Sequence, residues 1–496
     1  MTQEHLDVLI VGAGISGIGS AYHLQEQCPG KRYAILEGRD SIGGTWDLFR
    51  YPGIRSDSDM FTLGFSFHPW KEAKAIADGP SILRYLKQTA QAYGIDRHIR
   101  FQHKVIAASW SSAEAKWTVD VERGPDREKA RLTCNFLYSC SGYYRYDAGY
   151  TPDFPGASQF EGQLIHPQQW PENLDYAGKR VVVIGSGATA VTLVPSMADE
   201  AAHVTMLQRS PSYVLSLPAE DPIANALRRL LPEQMAHGAA RLKNVLLSML
   251  IYQVCRRRPE FAKRIIRKYV ARALPPGYPV DTHFKPTYNP WEQRLCLVPN
   301  NDLFKAIRKG RASVETDHVE SFTATGIQLK SGKHLDADII VSATGLQLIA
   351  MGGVKISVDG QAVDLSKRFS YKGVMLSGVP NAAASIGYTN ASWTLRADLI
   401  SRYVCRLLNH MDKHSYQVCT PVNTDNSMPE LPLLDLTSGY VQRAAAMFPK
   451  QGGKAPWQLK QNYFLDLLSL SFGALEDDAL RYEREPAQAQ PLREAA

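Results

Sequence analysis

Two stretches of the chain share one pattern of apolar and polar positions. Leu6-Asp-Val-Leu-Ile-Val11 and Arg180-Val-Val-Val-Ile184 are short apolar runs without alternation, each followed by a turn rich in glycine. Such runs predict parallel strands buried on both faces. The turns read Gly12-Ala-Gly14-Ile15-Ser16-Gly17 and Gly185-Ser186-Gly187-Ala188-Thr189-Ala190, and each opens into a helical pattern. A second strand follows each helix, at 33–36 and 203–207. Later runs at 136–142 and 339–345 end in small residues, the second in Thr344 and Gly345.

Strand, glycine turn, helix and returning strand make the unit that binds a dinucleotide, because the bare turn lets backbone N–H groups and a helix N-terminus approach a pyrophosphate. The pattern predicts an α/β fold with two Rossmann-like domains, to which the strand ends at Glu37, an acid, and Arg209, a cation, assign FAD and NADP respectively. Between 217 and 288 the period changes to that of helices. Leu227, Leu230 and Leu231 fall on one face, Leu242, Val245, Leu246, Met249 and Leu250 on another, and prolines punctuate the run. We expect an FAD-binding domain from 1–142 and 346–496, an NADP-binding domain from 143–216 and 289–345, and a helical insertion at 217–288. A long helix is expected over 392–410, and a disordered tail over 483–496.

Composition narrows the class. Apolar residues at 44% and charged residues at 21% describe an ordinary globular protein, and 496 residues exceed one ordinary core. The seven cysteines form no C-x-x-C pair, which argues against a disulfide framework or a metal site and points to a reducing cytoplasm. No apolar run approaches the ~18 residues of a membrane span. The net charge of +7 is uneven: residues 226–275 carry twelve Lys/Arg against Glu233 and Glu260, leaving the rest slightly acidic. A charge confined to one helical region argues against nucleic acid and leaves peripheral membrane contact open there.

The ends of the second strands separate the cofactors. The first ends at Glu37, twenty residues past Gly17, where a carboxylate can accept the ribose hydroxyls of FAD. The second ends at Gln208-Arg209-Ser210, with no acid, and Arg209 can pair with the 2′-phosphate of NADPH. The segment Gly43-Gly44-Thr45-Trp46, through Tyr51-Pro-Gly53 to Asp57, would bring backbone against the flavin, with Trp46 stacked on it or filling core.

Between the two units lies Phe160-Glu-Gly162-Gln-Leu-Ile-His166-Pro-Gln-Gln-Trp170-Pro171. This resembles the fingerprint of type I Baeyer–Villiger monooxygenases, and 43–57 is similar to that family's second signature. Runs at 44–59, 289–299 and 387–393 resemble in particular the ethionamide-activating monooxygenases. The resemblance implies oxygenation of ketones to esters by O2 at the flavin C4a, with S-oxygenation of sulfides or thioamides. It also implies catalytic roles for Arg294, the fixed cation beside the flavin, and Asp57, which orients it. His166 would serve hinge movement and NADPH handling. The sister flavin-containing monooxygenases, which oxidise N and S without forming esters, generally carry Tyr or Phe where Trp170 stands. Gln293 departs from the lysine that often precedes this arginine, so the grip on the 2′-phosphate leans on Arg209.

Overall fold

The structure is a computed structural model that describes residues 4–485. Its first sheet has nine strands. β1 (His5–Val11) lies between β2 (Tyr33–Leu36) and β6 (Glu128–Ser139), parallel to both, and β3 (Ile99–Arg100) extends the β2 edge. On the other side β6 continues antiparallel into β5 (Lys116–Arg123) and β4 (His103–Ser111). Helix α1 (Ile15–Gln27) crosses from β1 to β2. Its Ser16, Gly17, Gly19, Ser20 and Ala21 are buried. Small side chains there let the helix approach the strand turn closely, because a Cβ on Gly17 would stand 1.9 Å from the Gly12 carbonyl oxygen.

The second sheet has five strands, all parallel. Their order is β12 (Ala312–Thr316), β9 (His203–Gln208), β8 (Arg180–Ile184), β13 (Ile339–Ser342) and β7 (Gln163–Ile165). Helix α2 (Ala188–Met197) follows the glycine turn after β8. Beyond β9, β10 (Val214–Leu217) pairs with β11 (Cys296–Pro299), and the helical insertion lies between them. It contains α3 (Pro222–Leu230), α4 (Glu233–Arg257) and α5 (Pro259–Ala273). Pro222 and Pro259 sit in the first turns of α3 and α5, where a missing N–H costs no helix bond.

The chain then returns to the first sheet with β14 (Lys355–Val358), parallel to β4, and β15 (Ala382–Ala384), parallel to β6. Helix α6 (Trp393–His414) runs a turn longer than the sequence pattern indicated and packs in the same core as α1. β16 (Val418–Pro421), α7 (Gly439–Ala444), α8 (Tyr463–Phe472) and β17 (Leu480–Glu483) complete the described chain. β17 pairs antiparallel with β16, so the ladder holds Glu483 where a disordered tail was expected to begin. Residues 486–496 of that tail lie outside the described residues.

Two expectations change in the packing. On α4, Val245 is buried and Met249 packs toward Tyr388 and Leu395, whereas Leu242, Leu246 and Leu250 are exposed. The expected single apolar face is therefore two faces. On α3, Leu230 is 79% exposed. The segment 48–54, early in the sequence, packs with the second sheet's core: Phe49 and Tyr51 are buried beside Val183, Val191 and Val194.

Candidate functional site

The first glycine turn is closed and braced. Gly12 has φ +102°, which L side chains rarely adopt, and a Cβ there would meet the Cys140 carbonyl oxygen at 2.8 Å. Gly14 precedes α1 with no side-chain cap, which leaves N–H groups of the first turn for a ligand. Buried Glu37 ends β2, and its two oxygens accept N–H bonds from Ala13 (2.8 Å) and Arg39 (3.0 Å). Burial pushes its carboxyl above the usual range, against the pull of those two bonds. Gly44, at φ +55°, crosses over Gly14, and a Cβ on Gly44 would stand 3.2 Å from the Gly14 Cα. Thr45 and Trp46 follow in a short helix, with Trp46 against the first core. The Ser16 hydroxyl accepts the Trp393 indole N–H at 2.7 Å.

The loop beyond runs onto the second sheet's layer. A Cβ on Gly53 would lie 1.8 Å from Ser196 Oγ on α2, so its bare backbone serves a joint between the two sheets' layers. Arg55 locks that joint through Asp302 at 2.6 Å and the Val191 carbonyl. Asp57, two residues on, comes to Arg294, which stands just before β11, with 3.7 Å between Oδ2 and Nη1. That is an ion pair rather than a hydrogen bond. Burial works against the Arg294 charge, yet Tyr143, Asp57, Tyr440 and Tyr144 around it raise its pKa well above the ordinary value. Burial lifts the Tyr440 phenol to about 12, and Tyr144 also moves well up, so both phenols stay protonated at neutral pH. Asp57 then supplies the negative charge. Arg294 keeps its Nε without a hydrogen-bond partner, and its side chain is 34% exposed.

The second glycine turn is open. Gly185 has φ +136°, and a Cβ there would strike the Ala343 carbonyl oxygen at 2.3 Å. Gly187, at the N-terminus of α2, has nothing within 4 Å of a built Cβ. Ala188 begins α2, and Thr189 stands beside the Tyr51 phenol. Ser186 Oγ bonds Ser212 Oγ at 2.8 Å and the Ser210 carbonyl at 3.3 Å. Arg209 and Ser210 are exposed. Among the described residues Arg209 makes no ion pair, so its fork is free to take a phosphate. At the end of β13, Thr344 donates to the Tyr150 carbonyl at 2.7 Å.

The linker docks on the second unit and supplies its edge strand β7. Phe160 packs edge-on against Phe322, and a Cβ on Gly162 would meet the Asp338 carbonyl oxygen at 2.4 Å. His166 Nε2 donates to the Gly345 carbonyl at 3.1 Å, while its Nδ1 accepts the Gln168 N–H at 3.1 Å. One donor and one acceptor make the ring neutral, and burial lowers its pKa in agreement. Trp170 is half-buried against the second core, and Pro171 is exposed. Gln168, which the sequence pattern did not single out, is buried and donates to the Arg145 and Tyr146 carbonyls.

Reasoning from the sequence also missed Tyr143, Tyr144 and Tyr440 around Arg294, and Arg443. That guanidinium lies 3.5 Å above the Tyr150 ring and 3.3 Å from a Cβ built on Gly345. The Tyr143-Tyr144 doublet after a strand end was a usable signal; α7, nearly three hundred residues later, offered none. A cleft of about 550 Å³ opens beyond the C-terminal ends of β6 and β15, between Gly142, Tyr143, Ser385 and Trp393. That is where open α/β sheets bind ligands. The buried Ser385 Oγ has no partner, and Gly142 meets nothing within 4 Å of a built Cβ. Unpaired donors, bare glycines and the cleft fit a planar cofactor with a pyrophosphate arm.

The model of the flavin-binding monooxygenase-like family matches residues 6–413. The chain belongs to this family. It is 57% identical over 485 residues to the FAD-containing monooxygenase EthA of Mycobacterium tuberculosis, covering 98% of this chain and 99% of that one. It is 50% identical to the probable FAD-binding monooxygenase AlmA of Acinetobacter baylyi, covering 97% of each. Among solved structures, steroid monooxygenase bound to NADP superposes with a TM-score of 0.73 at 21% identity, over 96% of this chain and 99% of that one. Cyclohexanone monooxygenase bound to ε-caprolactone gives 0.73 at 19%, over 97% and 100%. At such identities the likeness is one of fold. This flavin-binding monooxygenase-like chain thus shares the two-sheet frame of those two monooxygenases.

Proposed function

We propose that the protein is an FAD-dependent, NADPH-consuming Baeyer–Villiger monooxygenase. It inserts one atom of O2 into ketones to give esters or lactones, and it oxygenates sulfur in sulfides or thioamides such as ethionamide. The other oxygen atom leaves as water, and NADPH supplies the two electrons. The observation that carries this reading is Arg294: a cation paired with Asp57 and ringed by three tyrosines, with an unsatisfied Nε.

FAD belongs at the turn 12–17. Each Glu37 oxygen keeps a second lone pair for a ribose hydroxyl, and Gly44 allows close approach. NADPH belongs at the turn 185–189, with Arg209 and Ser210 on the 2′-phosphate and Thr344 and Gly345 beside the turn, after β13. On this reading 1–142 with 346–496 hold the flavin, 143–216 with 289–345 hold the nicotinamide cofactor, and 217–288 is the insertion. When bound, the flavin activates dioxygen and passes one oxygen atom to the substrate. Arg294 stabilises negative charge that grows on oxygen in the transition state, as a preorganised cation away from bulk water does at least cost. Asp57 fixes its position. Tyr143, Tyr144 and Tyr440 flank it and offer phenolic donors.

The test is anaerobic reduction of the holoenzyme by NADPH, then air with a linear ketone or an aryl sulfide, and product analysis. Ester and sulfoxide are expected. Hydrogen peroxide alone across all substrates sinks the proposal; sulfoxide without ester would reduce it to an N/S-oxygenating monooxygenase.

A further inference from the structure

The outer face of α4 is apolar where water should make it polar. Ala236, Ala240, Asn244, Val245 and Cys255 turn inward and are buried. On the opposite side Met235, Leu242, Leu246 and Leu250 are each between 50% and 61% exposed. At 100° per residue these four fall within an arc of roughly 80°, with Gly238 and Ala239 beside it. No Asp or Glu occurs between Glu233 and Glu260. The neighbouring α5 repeats the arrangement, presenting Phe261 and Ile265, each 50% exposed, together with exposed Lys268 and Arg272. Helix α8 meets α4 across a groove of about 350 Å³ lined by Val245, Met249, Tyr388 and Tyr463, and adds exposed Leu465, Leu468 and Phe472.

The cations around these faces are largely uncommitted. Lys243, Lys263 and Arg267 pair with Asp221, Glu260 and Asp281, and Arg228 and Arg241 donate to backbone carbonyls. Arg229, the run 256–258, Arg264 and Lys268 make no ion pair among the described residues. No helix among those residues is long and apolar enough to cross a membrane.

We propose that α3, α4 and α5 dock the protein on the surface of an anionic lipid bilayer. Helices of this kind lie in the plane of the interface, apolar side chains at the acyl boundary and arginines among the head groups. Charge complementarity selects this occupant. A second copy would set one strongly basic face against another, and nucleic acid would leave the leucines in water. The inference is independent of which substrate the cleft takes.

The holoenzyme is to be sedimented with vesicles of phosphatidylcholine alone and of phosphatidylcholine with phosphatidylglycerol. Binding to the anionic vesicles, at least tenfold stronger than to the neutral ones and weakened by salt, is expected. The double variant Leu246→Glu/Leu250→Glu should lose at least tenfold of that binding while keeping flavin content and thermal midpoint. Arg257→Glu/Arg264→Glu, which leaves the apolar face intact, should lose the preference for anionic vesicles. Equal binding to both vesicles, no binding, or undiminished binding by the leucine variant would overturn the proposal. So would vesicle-free dimerisation that the same leucine variant abolishes, because it would assign the face to a second copy.

Discussion

The two glycine turns start from the same sequence pattern and end in different states. In the first, Glu37 grips the turn at Ala13, Gly44 lies across Gly14, and Trp393 holds Ser16. In the second, Gly187 faces open space and Arg209 stands free in solvent. A braced turn suits a cofactor that stays, since its cradle is assembled before the ligand arrives. An open one suits a cofactor that comes and goes, because nothing must move aside. Preorganisation lowers the cost of binding at the first site, and accessibility shortens exchange at the second.

The largest test falls between the turns. Arg294→Ala should lower ester formation roughly 10³-fold, the scale for a lost charge-stabilising donor, while NADPH still reduces the flavin; stopped-flow absorbance with product analysis separates the steps. Next is Gly12→Ala, which adds about 1–3 kcal/mol of backbone strain and a clash with rigid backbone. It should purify with reduced flavin content, read from its visible absorbance, whereas Gly187→Ala should purify fully flavinated. Comparable flavin loss in both would erase the contrast. Arg209→Ala should lower the NADPH-over-NADH ratio of kcat/KM by about tenfold to a hundredfold, from about 1.5–3 kcal/mol for a charge-assisted contact; an unchanged ratio frees Arg209 from that role.

The smallest effect is a pH dependence in the linker. Burial holds the His166 pKa below 6.5, so protonation favours the unfolded chain. The stability it contributes is whole above pH 6.5 and is lost as pH falls through the folded value. Urea unfolding should show the gap between wild type and His166→Gln narrowing from pH 7 to pH 5.

The strands around both turns were legible because a parallel strand covered on both faces has no polar alternation to confuse its reading. Glu37 and Arg209 were legible because they end such strands. The two faces of α4 were not, since residues spaced three and four apart share a side whether that side meets core or solvent. Val245 goes in because Tyr388 and Leu395 wait there, residues supplied from far along the chain. Tyr440 and Arg443 were illegible for the same reason. Their positions depend on α7 returning to the end of β13. Gly53 was marked as a glycine needing close approach, and it has one, to Ser196 on α2.

That notch at Gly53 has a mechanical consequence. With Phe49 and Tyr51 sunk in the second core and Arg55 fastened to Asp302, Asp57 travels with the layer that also carries Arg294. If one sheet swings against the other, the pair rides as a single piece, and the bending falls on the chain to either side, before residue 49 and after Asp57, where Met60 and Phe61 already belong to the first core.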